Sequence, residues 1–483
     1  MNKTIKALTY SFGGQYLSLI IQIVSTMVIS RLLTPSEVGI YSVAAGIVFI
    51  GHLLRDFGVG QYIIQEPNLT NQRIRAAYTL TIGIAWSISI FIALLAPFAD
   101  SFFNDDGVSD VLSILVFSLA LTPFGTITSA YLRRNMNFRP TMIAGVSSAV
   151  TGAIVTISCA FYGLSYASMA WGSLTSTIAT ISVMVYFRPK ELPILPGFKE
   201  MSKILSFGSK LSVINITGQL PEVITEIIVG KNLSMNAVGI QSRTVGTVGI
   251  LNGLLMKGLG PVVNSLFAEK ARDNDDLRAP YIKGLSYVSA VAWPFFGSLV
   301  LLTEELTMVL YGENWLAVVP LIQIGCIAAF IIYLTNLTEH LLTATGNIDR
   351  MVKYNTILIP ANLVLMTIAA FFSLTWIAIA GVVTAILRAI LVYPHIKEIA
   401  NVQLNDYKEI LYQATAITAG TLLGVILGKG LMLSLAVQND LLILLASFIL
   451  GSIGWCYTII RFENPISPDL KKLWRHLLNR NQK

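Results

Sequence analysis

Apolar stretches of membrane-spanning length recur from one end of this chain to the other, and nothing else in the sequence limits the possible folds so strongly. They fall at roughly 7–30, 38–55, 77–98, 111–131, 140–161, 165–187, 206–229, 238–263, 281–303, 315–336, 355–373, 375–394, 409–428 and 440–460, fourteen in all. Each is near the ~20 residues that a helix needs to cross a ~30 Å hydrocarbon core. Inside them Gly, Ala, Ser and Thr alternate with bulky residues, which suits close helix packing in lipid. A transmembrane barrel would instead show alternating segments of ~10 residues. Of the 483 residues 54% are hydrophobic and 12% charged, against roughly 25% charged in soluble chains; the mean hydropathy is +0.69. The fold expected is an all-α integral membrane protein with no separate soluble domain.

The N-terminal basic residues and apolar run resemble a secretory signal peptide, but the run is too long, lacks a small-residue cleavage site and leads straight into another span. It reads as an uncleaved first helix. Cys159, Cys326 and Cys456 lie inside expected spans and read as packing residues rather than a disulfide framework.

The formal charge of +7 does not point to nucleic acid, because in a membrane protein the placement of Lys and Arg matters more than their sum. With the N-terminus cytoplasmic, 27 of the 33 basic residues fall on inward loops and flanks. Only Arg31, Lys231 and Lys429 fall outward, and Arg243, Lys257 and Arg388 lie within helices. One misplaced span would reverse every later loop and destroy this bias, so helix count and orientation support each other. Both termini are expected on the cytoplasmic side of a bacterial inner membrane. The basic tail Lys471–Lys483 reads either as resting on anionic headgroups or as a solvated segment that sets topology.

A shift of 200 residues brings the segment from Arg31 to Ile63 over the segment from Lys231 to Val263 without a gap, with eleven identities in 33 positions. Among them are Leu33/Leu233, Val38/Val238, Gly39/Gly239, Ser42/Ser242 and Gly46/Gly246. The repeat lays helices 1 and 2 over helices 7 and 8. Six spans intervene, so both copies cross the membrane in the same direction. This predicts two parallel-related six-helix bundles, 1–190 and 191–400, around a central cavity, followed by two further helices and a basic tail in 401–483. Such a duplication suits a transporter that works by alternating access.

Four runs carry a family resemblance: Ile29-Ser-Arg-Leu-Leu-Thr-Pro-Ser-Glu-Val-Gly-Ile-Tyr-Ser42, Asp56-Phe-Gly-Val-Gly60, Leu132-Arg-Arg-Asn-Met-Asn-Phe-Arg139 and Gly312-Glu-Asn-Trp-Leu-Ala-Val-Val-Pro-Leu321. By their order and spacing the chain resembles a Wzx-type oligosaccharide flippase of the colanic-acid exporter branch, in the multidrug/oligosaccharidyl-lipid/polysaccharide superfamily. The resemblance implies movement of an undecaprenyl-diphosphate-linked oligosaccharide from the inner to the outer leaflet. It also implies a V-shaped pair of bundles, and company with membrane lipid, a polysaccharide polymerase and glycosyltransferases. Lipid II flippases and drug/cation antiporters of the same superfamily are the competing readings.

Ionisable groups deep in a bilayer are costly and usually face a cavity or a partner. In helix 7, Glu222 and Glu226 stand at i and i+4, on one helical face, with Asn215 and Gln219 extending it. Glu222 is the candidate cation or proton site. Glu226 and Arg243 should lie at similar depths, so an ion pair between them is compatible with the spacing, either structural or gating. Lys257 and Arg388 lie toward the cytoplasmic side and are candidates to meet a diphosphate, with snorkelling to headgroups the other reading for Lys257. Arg31 is a further cavity candidate, read alternatively as an outer-end helix residue, and Arg55-Asp56 reads as an inner-end cap of helix 2. Trp86, Trp171, Trp293, Trp315 and Trp455 read either as a sugar path or as interface and packing residues.

Gly428-Lys429-Gly430 lacks the spacing and the following Ser or Thr of a P-loop. His52, His340, His395 and His476 are scattered, so neither a metal centre nor a cofactor is expected. An enzyme such as a membrane polymerase or glycosyltransferase would expose charged clusters in a large outward loop, and none is long enough; a bare scaffold leaves the intramembrane charges without a use. The expectation is a transporter, not an enzyme.

Overall fold

The structure, a computed structural model, describes residues 3–193, 196–273, 275–462 and 464–468, apart from the side chains of 3–8, 207, 209–218, 252, 254–259 and 261–262. Among the described residues every regular element is helical. The tail Lys471–Lys483 lies outside them. The chain divides into two compact units, Met1–Ser242 and Arg243–Lys483.

The first unit holds α1 (Lys3–Leu32), α2 (Pro35–Arg55), α3 (Val59–Gln65), α4 (Asn71–Phe103), α5 (Gly107–Leu121), α6 (Pro123–Arg134), α7 (Arg139–Phe161), α8 (Ala167–Tyr186), α9 (Met201–Asn232) and the first turns of α10 (Met235–Arg272). The Thr34 hydroxyl caps α2 by accepting from the Glu37 amide, while the Glu37 carboxylate accepts from the Thr34 amide at 2.7 Å, a reciprocal capping box. In the second copy of the repeat, Ser234 Oγ accepts from the Ala237 amide at 3.1 Å. The helix ends at Leu32 and Asn232, and the helix starts at Pro35 and Met235, also differ by 200 residues. The sequence repeat is therefore a repeat of local structure.

Two breaks shape the interior of this unit. At Asp56-Phe57-Gly58 the chain leaves α2, and Gly58 adopts φ 62°, a left-handed conformation that glycine takes without steric cost. At Thr122-Pro123 the span continues from α5 into α6 with a bend of 44°, as expected where proline removes a backbone donor and crowds the preceding turn. Tyr62 and Ile63 of α3 then pack against Ile74 and Ala77 of α4 and Ile127 and Ala130 of α6. Phe91, Leu94 and Phe98 of α4 stay exposed, an apolar face matched to acyl chains.

Beyond the second break the segment joining α8 to α9 is tied back to α4. Arg73 donates to Glu66 at 2.7 Å and to Glu200 at 2.8 Å, and the Gly197 amide donates to Thr79 Oγ1 at 2.8 Å. The Arg73 hydrogen bond holds the Glu200 carboxyl below its usual range.

The second unit continues α10 and adds α11 (Arg278–Leu301), α12 (Thr303–Leu310), a 3-10 turn (Glu313–Val318), α13 (Val319–Tyr333), α14 (Thr338–Ala344), α15 (Ile348–Ala370), α16 (Leu374–Ala400), α17 (Leu404–Ser434) and α18 (Asp440–Arg461). Its centre is aromatic: Trp293 and Phe330 meet edge to face at 5.3 Å, and Phe296 lies against Phe330 and Tyr333. The C-terminal helices pack on α11, where the Trp455 indole donates to the Ala290 carbonyl and the Tyr287 hydroxyl to the Pro465 carbonyl, both at 2.8 Å. Lys429 of α17 pairs with the buried Glu305 of α12 at 2.5 Å, so the only charge far along α17 is neutralised by a neighbour.

Eleven helices among the described residues are long and apolar enough to cross a membrane, or twelve with α5 and α6 taken as one broken span. The remaining two of the fourteen expected spans fall on α9 and α10. Cys159, Cys326 and Cys456 are free thiols within α7, α13 and α18. Trp315 is fully buried and reads as a packing residue, and Trp293 belongs to the aromatic centre.

Candidate functional site: a basic, hydroxyl-lined cavity in the first unit

The two breaks of the first unit open a cavity of about 600 Å³ between the end of α2, α3, α6 and α8, within the range of small-molecule sites. Helical spacing explains its lining. Thr122, Thr126, Ser129 and Arg133 recur at intervals of three or four along α6 and its hinge, and Thr177, Thr180 and Met184 do so on α8, so each set shares one face. His52 and Arg55 stand one turn apart at the end of α2 and both reach the same space. Gly60 contributes no side chain, and a Cβ placed there would meet nothing within 4 Å.

Arg55 is the distinctive member. Its side chain is 6% exposed, a costly placement for a guanidinium in a membrane. One Nη pairs with Asp56, the other donates to Thr126 Oγ1 at 3.4 Å, and Nε is buried without a hydrogen-bond partner among the described residues. Asp56 itself is 58% exposed and so is largely answered by solvent. Arg133 adds a second positive charge, while the His52 ring and the hydroxyls of Thr122, Thr126, Ser129, Thr177 and Thr180 supply both donors and acceptors. This arrangement suits a polyanion carrying hydroxyl groups. The forked guanidinium binds phosphate oxygens in pairs, and hydroxyls adapt to sugar.

The residues singled out from sequence are distributed differently. Glu222 is exposed and Glu226 half-buried on α9, the Glu226 carboxylate lying beside Gly46 of α2. Arg243 opens the second unit with its guanidinium over the rings of Trp315 and Tyr311, at 5.4 and 5.7 Å. Tyr311 also shares a 2.7 Å hydrogen bond with Thr247. Glu226 and Arg243 thus fall in different units. Arg388 donates to Glu339 at 2.9 Å, and the Tyr354 hydroxyl of α15 is buried without a partner among the described residues. Arg31 donates to the Met27 carbonyl at 3.0 Å in the last turn of α1, where a cation favours the helix C-terminus. The side chains of Lys257 and Asn215 lie outside the described residues. Among the described residues no group of three His, Cys, Asp or Glu is placed to hold a metal ion.

Sequence reading assigned Arg55-Asp56 to a helix end and missed the cavity. The signal was present: His52 and Arg55 at i and i+3, followed at once by two glycines, with a Thr/Ser/Arg stripe on one face of the span that Pro123 breaks.

Fold and composition together define a polytopic membrane protein, helical throughout its described residues, whose fold is similar to that of a solved chain described as lipid II flippase MurJ, inward closed conformation. The two superimpose with a TM-score of 0.77 over 94% of this chain and 98% of that one, at 12% identity. Residues 28–320 match the family described as polysaccharide biosynthesis protein, and the chain belongs to that family. It is 22% identical over 392 residues to an uncharacterized membrane protein in the cps region of Klebsiella pneumoniae, covering 78% of each chain. It is 21% identical over 359 residues to the lipopolysaccharide biosynthesis protein WzxC of Escherichia coli (strain K12), covering 73% of this chain and 72% of that one.

Proposed function

We propose that this chain is a flippase that moves an undecaprenyl-diphosphate-linked oligosaccharide from the inner to the outer leaflet of the bacterial cytoplasmic membrane, by alternating access. The observation that carries the reading is a roomy cavity lined by Arg55 and Arg133, Arg55 being a largely buried guanidinium in a membrane-spanning unit. The diphosphate is assigned to Arg55 and Arg133 and the first sugars to the Thr/Ser faces of α6 and α8. Family membership supports a part in polysaccharide assembly, and the MurJ-like fold supports carriage of a lipid-linked sugar rather than catalysis. The loop charges support an inner-leaflet entrance, because Arg133, Arg134 and Arg139 lie on the side where basic residues concentrate.

The same reading takes α9 and α10 as the remaining two of fourteen spans, with both termini cytoplasmic. Its functional segments are 1–190, 191–400 and 401–483, and a polymerase and glycosyltransferases supply and consume its cargo. Glu222 and Glu226 are assigned to ion coupling, Arg243 to gating, and Arg388 and Lys257 to secondary contacts with the anionic headgroup. Arg388 then exchanges Glu339 for phosphate. The i, i+4 carboxylates of α9 favour a cation antiporter as the second reading.

The test is to delete the gene and follow lipid-linked sugars. The flippase reading predicts their accumulation on the inner leaflet, reversed by the wild-type chain and not by Arg55→Leu. Unchanged surface polysaccharide in the deletion strain, with no accumulation, would reject it.

A further inference from the structure

The Arg55 cavity carries its own anion. Asp56 lines it beside Arg55, and the Asp56 carboxylate pairs with one Nη of that guanidinium. The partners differ in setting: the Arg55 side chain is 6% exposed and that of Asp56 58%. The cation is built into the wall, whereas the carboxylate stands in open space and leaves the pair by a rotation of its own side chain into solvent.

The helix itself does not call for a carboxylate there. Asp56 is the C-cap of α2, and its amide donates to the His52 carbonyl, a bond made by the backbone that needs no particular side chain. The C-terminal end of a helix favours a cation and disfavours an anion, so Arg55 suits the position and Asp56 does not. The two charges are also absent together. In the second copy of the repeat the residues 200 positions on are Leu255 and Met256, so the carboxylate occurs where the guanidinium does.

An acid beside the phosphate-binding cation weakens a site for polyanions, because like charges oppose each other. A carrier, however, must let go as well as bind. A phosphate that leaves a buried guanidinium strands an unpaired charge, which is strongly unfavourable. A neighbouring carboxylate that takes the vacated place removes that obstacle.

We propose that Asp56 is a built-in competitor for the phosphate of the cargo: it occupies the Arg55 fork in the empty cavity, yields it to an arriving diphosphate, and takes it back to release the headgroup. Loading and unloading then exchange one ion pair for another, and Arg55 is never left alone in the wall. The other Nη keeps its hydrogen bond to Thr126 Oγ1, at 3.4 Å, while the partner changes. Asp56 is a positioning residue that acts through Arg55, and it trades affinity for speed of release.

The inference rests on the flippase reading, and the experiment separates the two. Inorganic pyrophosphate is titrated calorimetrically into detergent-purified full-length protein, and maximal export is measured in cells as clearance of lipid-linked sugar from the inner leaflet. Asp56→Asn keeps the shape and removes the charge; Asp56→Ser is a second neutral replacement that guards against a local folding defect. Competition predicts changes of opposite sign, with pyrophosphate bound about tenfold more tightly and maximal export slowed severalfold, at unchanged protein abundance. A residue that merely holds Arg55 in place would give weaker binding, and that result, or unchanged binding, would overturn the proposal. So would tighter binding with undiminished export. A gain in affinity that persists when Asp56→Asn is added to Arg55→Leu would also overturn it, since Asp56 would then repel phosphate without any exchange at Arg55. Wild-type protein reports separately on the flippase reading: pyrophosphate binding no stronger than that of Arg55→Leu protein would deny that the cavity is a phosphate site at all.

Discussion

The two copies of the repeat agree at one end and part company at the other. From the capped turn through Gly39/Gly239 and Ser42/Ser242 they carry the same small residues, and each presses its backbone against the other. Four turns further in, the first copy has His52, Arg55 and Asp56 where the second has Asn252, Leu255 and Met256. There α2 breaks and frames a cavity, whereas α10 runs on as one 38-residue helix to Arg272. Duplication thus kept the residues that hold helices together and let the residues that meet a ligand diverge. The charged end of the first copy is the part of the repeat that packing does not require.

Replacing Arg55 with the residue of the second copy, Arg55→Leu, should have the largest effect. Loss of a charge-assisted contact worth about 1.5–3 kcal/mol predicts roughly 10- to 100-fold weaker export, with unchanged membrane abundance. Export at the wild-type rate would mean that the divergence carries no chemistry. Arg55→Lys should fall between the two, because a point charge replaces a fork.

Gly39→Ala and Gly239→Ala test the end that agrees. Each added methyl collides with a backbone carbonyl, that of Met235 for the first and of Pro35 for the second, a clash that overpacking data place at about 1–3 kcal/mol. Detergent-solubilised protein should lose thermal stability by similar amounts in both variants, since the contacts are reciprocal; a marked inequality would break that reciprocity.

Glu226→Gln replaces a carboxyl group set beside Gly46 of the first copy, and Glu222→Gln its exposed neighbour. If these carboxylates couple an ion, each variant should slow export severalfold and flatten its dependence on the ion gradient. Undiminished, gradient-dependent export in both would remove α9 from the coupling scheme.

The smallest effect concerns the caps. Thr34→Ala should cost about 1 kcal/mol of stability, and more than Ser234→Ala, because Glu37 completes a capping box and its counterpart Ala237 does not. Equal melting temperatures for the two variants would deny that asymmetry.

Much of the fold was legible in the sequence because the bilayer imposes lengths. Hydropathy marks the spans, and the repeat is written in Leu33, Gly39 and Ser42 and their counterparts. The break at Thr122-Pro123 was not read, and 111–131 stood as one span. The site was less legible, since it depends on which distant helices converge. Arg55 followed by Asp56 has the local pattern of a helix end, and it is one; its burial against α6 and α8 is a tertiary fact. Arg388 read as a candidate to meet a diphosphate, and nothing in its surroundings in the chain named Glu339, 49 residues away, with which it pairs. Arg243 illustrates the same limit, as the aromatic faces beneath it come from a turn some seventy residues later in the chain.

The central claim, that the Arg55 cavity carries the diphosphate of a lipid-linked sugar, is tested most directly by measuring lipid-linked oligosaccharide on the inner leaflet of cells that contain only Arg55→Leu/Arg133→Leu protein. The account predicts accumulation as in the deletion strain, at normal protein abundance. Clearance at the wild-type rate would contradict it.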